Sequence, residues 1–164
     1  VCEGRGRGRI RPHGGSNQQG YERWRCRCDV RDERRPVASG VLLPRLDLQL
    51  RLDYLHASRY RERTTGDQLH WKAEPTQSLA GKDLLIVDDI LDEGYTLEAI
   101  IRYCHQQSPA SVRAAVLVRK DHDRGVRPPV DYIGLTVPDR YVFGYGMDYK
   151  GYWRNAPGIY AVAE

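Results

Sequence analysis

The stretch Leu84-Leu85-Ile86-Val87-Asp88-Asp89-Ile90-Leu91-Asp92-Glu93-Gly94-Tyr95-Thr96-Leu97 constrains the fold more than any other part of the chain. Its opening, from Asp83 to Val87, is a short and continuous apolar run. Such a run fits a strand buried on both faces, as in a parallel sheet. The strand is expected to end at two adjacent carboxylates, Asp88 and Asp89. A turn with one glycine follows, and an amphipathic helix is expected from Thr96 to Gln107. Further apolar runs at Val112–Val118 and Tyr132–Val137 continue the alternation. Strand, helix and strand at this spacing predict βαβ units in an α/β domain of three layers around a parallel sheet core.

The flanking segments are less regular. Val37 to Leu46 reads as a short helix stopped around Pro44. Leu48, Leu50, Leu52 and Tyr54 alternate with polar residues, as a strand does. Ser58 to Asp67 is polar and reads as a mobile loop, and Leu69 to Lys72 resumes a strand. Asp139 to Tyr160 is rich in glycine and aromatics and is expected to lie as a small irregular hood over the sheet edge. The chain shows no internal repeat. No apolar run approaches the length of a membrane span, and none opens the chain as a signal peptide would.

The 164 residues carry a net charge of +4, but the excess is local. Residues 1–36 hold 10 Arg, no Lys and 5 acids, whereas residues 37–164 hold 16 basic and 17 acidic residues. The first segment also contains Cys2, Cys26 and Cys28, no Leu, no Ala and no Phe, and shows no helical or strand periodicity. The chain therefore divides near residue 36. Residues 1–36 form an atypical Arg/Gly/Cys-rich segment, expected to be disordered or a frameshifted reading, and residues 37–164 form the domain. Cys26 and Cys28 are one residue apart, closer than zinc ligands usually stand. Cys104 falls in the pattern Leu97, Ile100, Ile101, Cys104 and reads as a small core residue.

The acidic strand end carries the chemistry. In open α/β sheets, ligands sit at the carboxyl ends of the strands. A helix N-terminus there offers amide groups and a positive dipole end suited to a phosphate. Gly94 lets the backbone approach closely, and the Thr96 hydroxyl adds a hydrogen bond. Asp88 and Asp89 cannot hold a phosphate, but they can accept hydrogen bonds from sugar hydroxyls. On the aspartate pair alone, a magnesium site of a phosphorelay receiver or ordinary turn chemistry stays open.

The whole run Val87-Asp88-Asp89-Ile90-Leu91-Asp92-Glu93-Gly94-Tyr95-Thr96 resembles the phosphoribosyl-diphosphate (PRPP) binding signature of type I phosphoribosyltransferases. A second run, Val137-Pro138-Asp139-Arg140-Tyr141-Val142-Phe143-Gly144-Tyr145-Gly146-Met147-Asp148-Tyr149, is similar to the hypoxanthine-guanine branch. The resemblance spans about residues 37 to 162. It implies transfer of ribose 5-phosphate from PRPP to a 6-oxopurine, with release of pyrophosphate and a requirement for Mg2+. It implies that Asp88 and Asp89 hold the ribose hydroxyls and that Asp92, near the purine N7, is the catalytic acid or base. Glu93, Gly94, Tyr95 and Thr96 would cradle the 5′-phosphate. Lys120, or its neighbour Arg119, would recognise the purine 6-oxygen. Tyr141 would stack on the base and Val142 would contact it through its backbone. Asp148 would bind the metal and Arg154 would neutralise pyrophosphate. Arg59 and Tyr60 would belong to the mobile loop that closes over the site. By the same resemblance the protein is a cytoplasmic homodimer or homotetramer, with no membrane and no nucleic acid among its partners. Asp121-His122-Asp123, by contrast, reads as a solvated turn.

One part of the chain departs from the family pattern. The family has an N-terminal strand and then a Gly-Gly or Lys-Gly loop for pyrophosphate. Here Arg31-Asp32-Glu33-Arg34-Arg35-Pro36 stands in that place. One codon choice for Val30 to Pro36, read one nucleotide later, encodes Val-Met-Asn-Gly-Gly, which is how a frameshift would arise. The alternative is a catalytically impaired homologue whose Arg-Gly arm binds RNA through phosphate charge and arginine stacking. A truncated, inactive enzyme is the third possibility.

Overall fold

The computed structural model describes residues 24–29, 42–46, 50–59 and 69–163. The strands are β1 (Trp24–Asp29), β2 (Tyr54–Arg59), β3 (Leu69–Ala73), β4 (Asp83–Leu91), β5 (Ser111–Asp121) and β6 (Tyr132–Pro138). They form one sheet in the order β3-β2-β1-β4-β5-β6. All neighbours pair parallel except β2 and β3, which are antiparallel. The helix α1 (Tyr95–Gln106) connects β4 to β5, making the expected βαβ unit. A two-stranded ribbon, β7 (Val142–Phe143) with β8 (Tyr160–Ala161), closes the C-terminal region. Among the described residues, no helix is long and apolar enough to cross a membrane.

Period-two alternation along β4 builds both faces of the core. Leu84 and Ile86 pack with Leu97, Ile100, Ile101 and Cys104 of α1, and with Leu55 of β2 and Ala114 and Val116 of β5. The helical residues recur at three- and four-residue spacing, so they form one apolar stripe. Cys104 is fully buried there, as its helical position predicts. Leu85 and Val87 serve the other face, with Ala115, Leu42 and Leu50. A third cluster joins Val118 of β5 to Val142 and Met147, with Ile90 of β4 packed against it. That cluster fastens the C-terminal hood to the carboxyl ends of β4 and β5.

Several boundaries differ from those read in the sequence. β1 lies inside the segment that showed no periodicity, and it runs parallel between β2 and β4. Its sequence does alternate, Trp24, Cys26, Cys28 against Arg25, Arg27, Asp29, but arginine and cysteine are weak markers of a strand. A central strand is favoured because the ladders on its two sides bond its backbone groups. A central strand is thus present within residues 1–36. The Arg-Gly run, residues 30–36 and most of the predicted helix from Val37 lie outside the described residues. Near Pro44 the chain makes a 3-10 turn, Leu43–Arg45, because proline supplies no amide for a continuing helix.

The strand expected over Leu48–Tyr54 instead begins at Tyr54 and runs to Arg59. Asp53 explains the shift. Its Oδ1 accepts from the amides of Tyr54 (2.8 Å) and Thr76 (3.2 Å), and its Oδ2 accepts from Gln77 (3.3 Å). Side-chain bonds of this kind hold the backbone in a turn rather than a ladder. β4 also extends past the aspartate pair to Leu91, because Asp88, Ile90 and Leu91 pair in register with Val116, Val118 and Arg119 of β5.

Candidate active site at the carboxyl ends of β4 and β5

Two loops meet above the sheet, one after β4 and one after β5, and glycine at the contact lets them meet closely. Gly94 precedes α1 with φ 82° and Gly125 has φ 78°, values that side chains disfavour. A Cβ on Gly94 would stand 2.3 Å from the carbonyl oxygen of Val126, and one on Gly125 would stand 2.1 Å from that of Glu93. The Val126 amide donates to the Glu93 carbonyl at 2.8 Å, and Arg127 Nη1 donates to the Asp92 carbonyl at 3.1 Å. The loops are therefore zipped backbone to backbone.

The β4–α1 loop leads straight into a helix N-terminus. The intrahelical ladder begins with the Glu98 amide donating to the Gly94 carbonyl at 2.9 Å, and no side chain caps the end. Amides of the first turn have no carbonyl to bond within the helix, and they point toward the space before it. Glu93, Gly94, Tyr95 and Thr96 are contiguous here. Thr96 is buried and Glu93 exposed. Asp88 and Asp89 are both buried within β4, upstream of the loop. Strand alternation directs them to opposite faces, Asp88 in series with Leu84 and Ile86, and Asp89 with Leu85 and Val87.

Asp92 is the hub of the site. Lys120 Nζ donates to its Oδ2 at 2.9 Å, and His122 Nε2 lies 2.7 Å from its Oδ1. Partial burial pushes the Asp92 carboxyl up, but the hydrogen bonds from Lys120 and His122, with the charge on Lys120, outweigh this and hold it below the ordinary aspartate value. Lys120 is also 3.9 Å from Asp139 Oδ1, and Arg124 grips Asp139 through both guanidinium nitrogens. That hydrogen-bonded charge pair lowers the Asp139 pKa and raises that of Arg124. Asp92, His122 and Asp139 bring metal-capable atoms within 4.8 Å of one another, yet the Lys120 ammonium already supplies the positive charge between the two carboxylates.

Strand alternation sends Arg119 and Lys120 to different partners. Arg119 donates to Thr136 Oγ1 on the neighbouring strand at 3.2 Å, while Lys120 turns to Asp92. The hood holds the remaining residues. Val142 is buried in the ribbon, and Tyr141 is half exposed with its edge toward Tyr149, ring centres 5.4 Å apart. Asp148 Oδ1 pairs with Arg154 Nη2 at 2.8 Å, and Asp148 Oδ2 accepts from the Gly151 amide at 2.8 Å. Arg154 Nη1 donates to the Gly146 carbonyl at 2.9 Å. Arg59 closes β2, and Tyr60 lies outside the described residues.

Thus residues read separately in the sequence come together as Asp92 with Lys120, and Asp148 with Arg154. His122, Arg124, Gly125, Arg127 and Asp139 were not foreseen as site residues. His122 is no solvated turn: its side chain is 5% exposed. Its partner is thirty residues away, so local spacing carries no trace of the contact.

A model of the phosphoribosyl transferase domain matches residues 37–150. The chain belongs to the phosphoribosyltransferase family. It is 34% identical over 124 residues to a hypoxanthine-guanine phosphoribosyltransferase of Streptococcus pneumoniae, covering 75% of this chain and 69% of that protein. A hypoxanthine-guanine-xanthine phosphoribosyltransferase of Tritrichomonas foetus is 33% identical, with 75% of this chain and 68% of the relative covered. Among solved structures, a hypoxanthine phosphoribosyltransferase of Staphylococcus aureus superposes with a TM-score of 0.78 at 27% identity, covering 86% of this chain and 76% of that one. These matches bear out the type I phosphoribosyltransferase fold and the resemblance to its hypoxanthine-guanine branch.

Proposed function

We propose that this phosphoribosyltransferase serves purine salvage, converting hypoxanthine or guanine and PRPP to IMP or GMP and pyrophosphate. The observation that carries the reading is the Asp92–Lys120 pair at 2.9 Å. The N7 and O6 positions of a 6-oxopurine are neighbours on one edge. With a proton on N7, that edge presents a donor beside an acceptor. A carboxylate beside an ammonium is its complement. An adenine would turn an amino group toward Lys120 and set donor against donor.

In the reaction, a bond forms between purine N9 and ribose C1′. The bond from C1′ to the pyrophosphate oxygen breaks, and its electron pair leaves with pyrophosphate. The N7 proton passes to Asp92. Glu93 to Thr96 hold the 5′-phosphate at the start of α1, Asp88 and Asp89 serve the ribose, and Tyr141 and Val142 hold the base. Arg154 offers a planar donor pair for pyrophosphate. Asp148 fits Mg2+, because its carboxylate oxygens are the hard donors that ion prefers. When bound, that ion would neutralise negative charge on the departing pyrophosphate. Arg59 and Tyr60 belong to the loop that closes and excludes water. A cytoplasmic homodimer or homotetramer is part of the same reading.

The test is formation of IMP or GMP from PRPP by the purified chain. Turnover with hypoxanthine or guanine and not adenine is expected, and Lys120→Ala should erode that preference. A folded sample that turns over neither purine rejects the proposal.

A further inference from the structure

Building on that activity, we propose that His122 positions the catalytic Asp92, acting as a fixed neutral imidazole that donates from Nε2. Its two ring nitrogens meet opposite partners. Nε2 is 2.7 Å from Asp92 Oδ1, an acceptor. Nδ1 faces the Arg124 backbone amide at 3.2 Å and Arg127 Nη2 at 3.1 Å. Both of these groups donate and neither can accept. Nδ1 therefore carries the lone pair, and the ring proton resides on Nε2, pointing at the carboxylate.

Three consequences follow for Asp92. Its Oδ1 is held from behind by a ring whose side chain is only 5% exposed, while the carboxylate itself is 37% exposed and faces the open site. Arg127 bridges His122 Nδ1 and the Asp92 carbonyl, so ring and main chain are braced together. Oδ2, shared with Lys120, is then the oxygen that meets substrate. When the Lys120 ammonium turns to a purine 6-oxygen, Oδ2 is left to accept the N7 proton. His122 does not relay that proton onward, because a second ring proton at Nδ1 would have to displace two donors.

The groups facing Asp92 are the Lys120 ammonium and the titratable His122 ring at its carboxylate and the Arg127 guanidinium at its carbonyl. Arg124 and Asp139 stand behind them, with Asp139 3.9 Å from Lys120. Removing the His122 donor takes away one bond to the charged form, so the Asp92 pKa rises toward the ordinary value.

Two substitutions separate orientation from mere loop packing. The amide nitrogen of glutamine reaches the position of Nε2, whereas that of asparagine reaches the position of Nδ1. H122Q is expected to keep most of the parental kcat. H122N should lower kcat about tenfold or more, the scale of a hydrogen bond to a charged group. Its KM for PRPP should stay near the parental value, and the acidic limb of its kcat/KM profile should move to higher pH. Nitrogen-15 NMR of the histidine side chains in the full parental chain reads the tautomer directly, and thermal melts confirm that both variants fold. An Nδ1-protonated or doubly protonated His122 at pH 7 overturns the inference. So does a folded H122N with parental kcat and parental pH profile. A parental chain that turns over neither purine removes the proposed function and this role with it, whereas turnover unaffected by H122N removes this role alone.

Discussion

Asp92 binds one donor on each of its oxygens, and this decides how the site answers to acid. Its carboxyl sits below the ordinary aspartate value of 3.8, because Lys120 and His122 outweigh the cost of partial burial. A carboxyl depressed in the folded state stabilises the fold above its unfolded pKa, and that contribution is lost as pH falls through the folded value. Asp92→Asn should therefore melt below the parent at pH 7, and the gap should close in melts taken below about pH 3.8. The same substitution should lower kcat about a hundredfold or more in the PRPP assay, the usual scale for a positioned proton-transfer group. Gly125 is a second decisive position. Gly125→Ala puts a methyl 2.1 Å from the Glu93 carbonyl oxygen at a positive φ, so a loss of about 2 kcal/mol or more is expected in denaturant titrations. The place of Asp92 in the candidate site could be reached from the motif, since nine neighbours in the chain share the signature. The contacts of His122 and Gly125 could not, because their partners Asp92 and Glu93 lie some thirty residues upstream on another loop.

Elements differ in how openly the sequence displays them. β4 is legible because Leu84 to Val87 is unbroken apolar sequence, as a strand covered on both faces requires. α1 is legible because Leu97, Ile100, Ile101 and Cys104 repeat at helical spacing, and truncating the fully buried Ile100 to alanine should cost about 2–5 kcal/mol in a chemical melt. β1 is hidden because two of its five positions paired with β4 are arginine and two are cysteine. Its place is set by the ladders to β2 and β4, which are long-range partners. Arg27→Pro breaks a ladder position opposite Ile86 and should leave the chain unable to reach native circular dichroism. A native spectrum from that variant would mean that β1 does not belong between β2 and β4.

Across the whole chain, the division by composition and the division by architecture fall at different places. Composition changes near residue 36, yet the sheet recruits residues 24–29. Deleting residues 1–23 should therefore leave the melting temperature and the circular dichroism spectrum close to those of the parent. Deleting residues 1–29 should abolish the cooperative melt, since it opens the sheet between β2 and β4. The net charge of +4 belongs to the N-terminal segment, whereas the residues that carry the site are near balance and rich in carboxylates. The fold class could be read from strand and helix spacing. The full strand order could not, because β1 pairs across more than twenty residues with both of its neighbours. The contact of Gly94 with Val126 and of Gly125 with Glu93 bears on chemistry beyond the fold. It welds the start of α1 to the strand end that carries Lys120, so under the proposed function the gap from a phosphate at α1 to a base at Lys120 would be a ruler with a single mark. A molecule that joins a phosphate mimic to a base mimic would have to match that one length, because neither loop can slide to meet it.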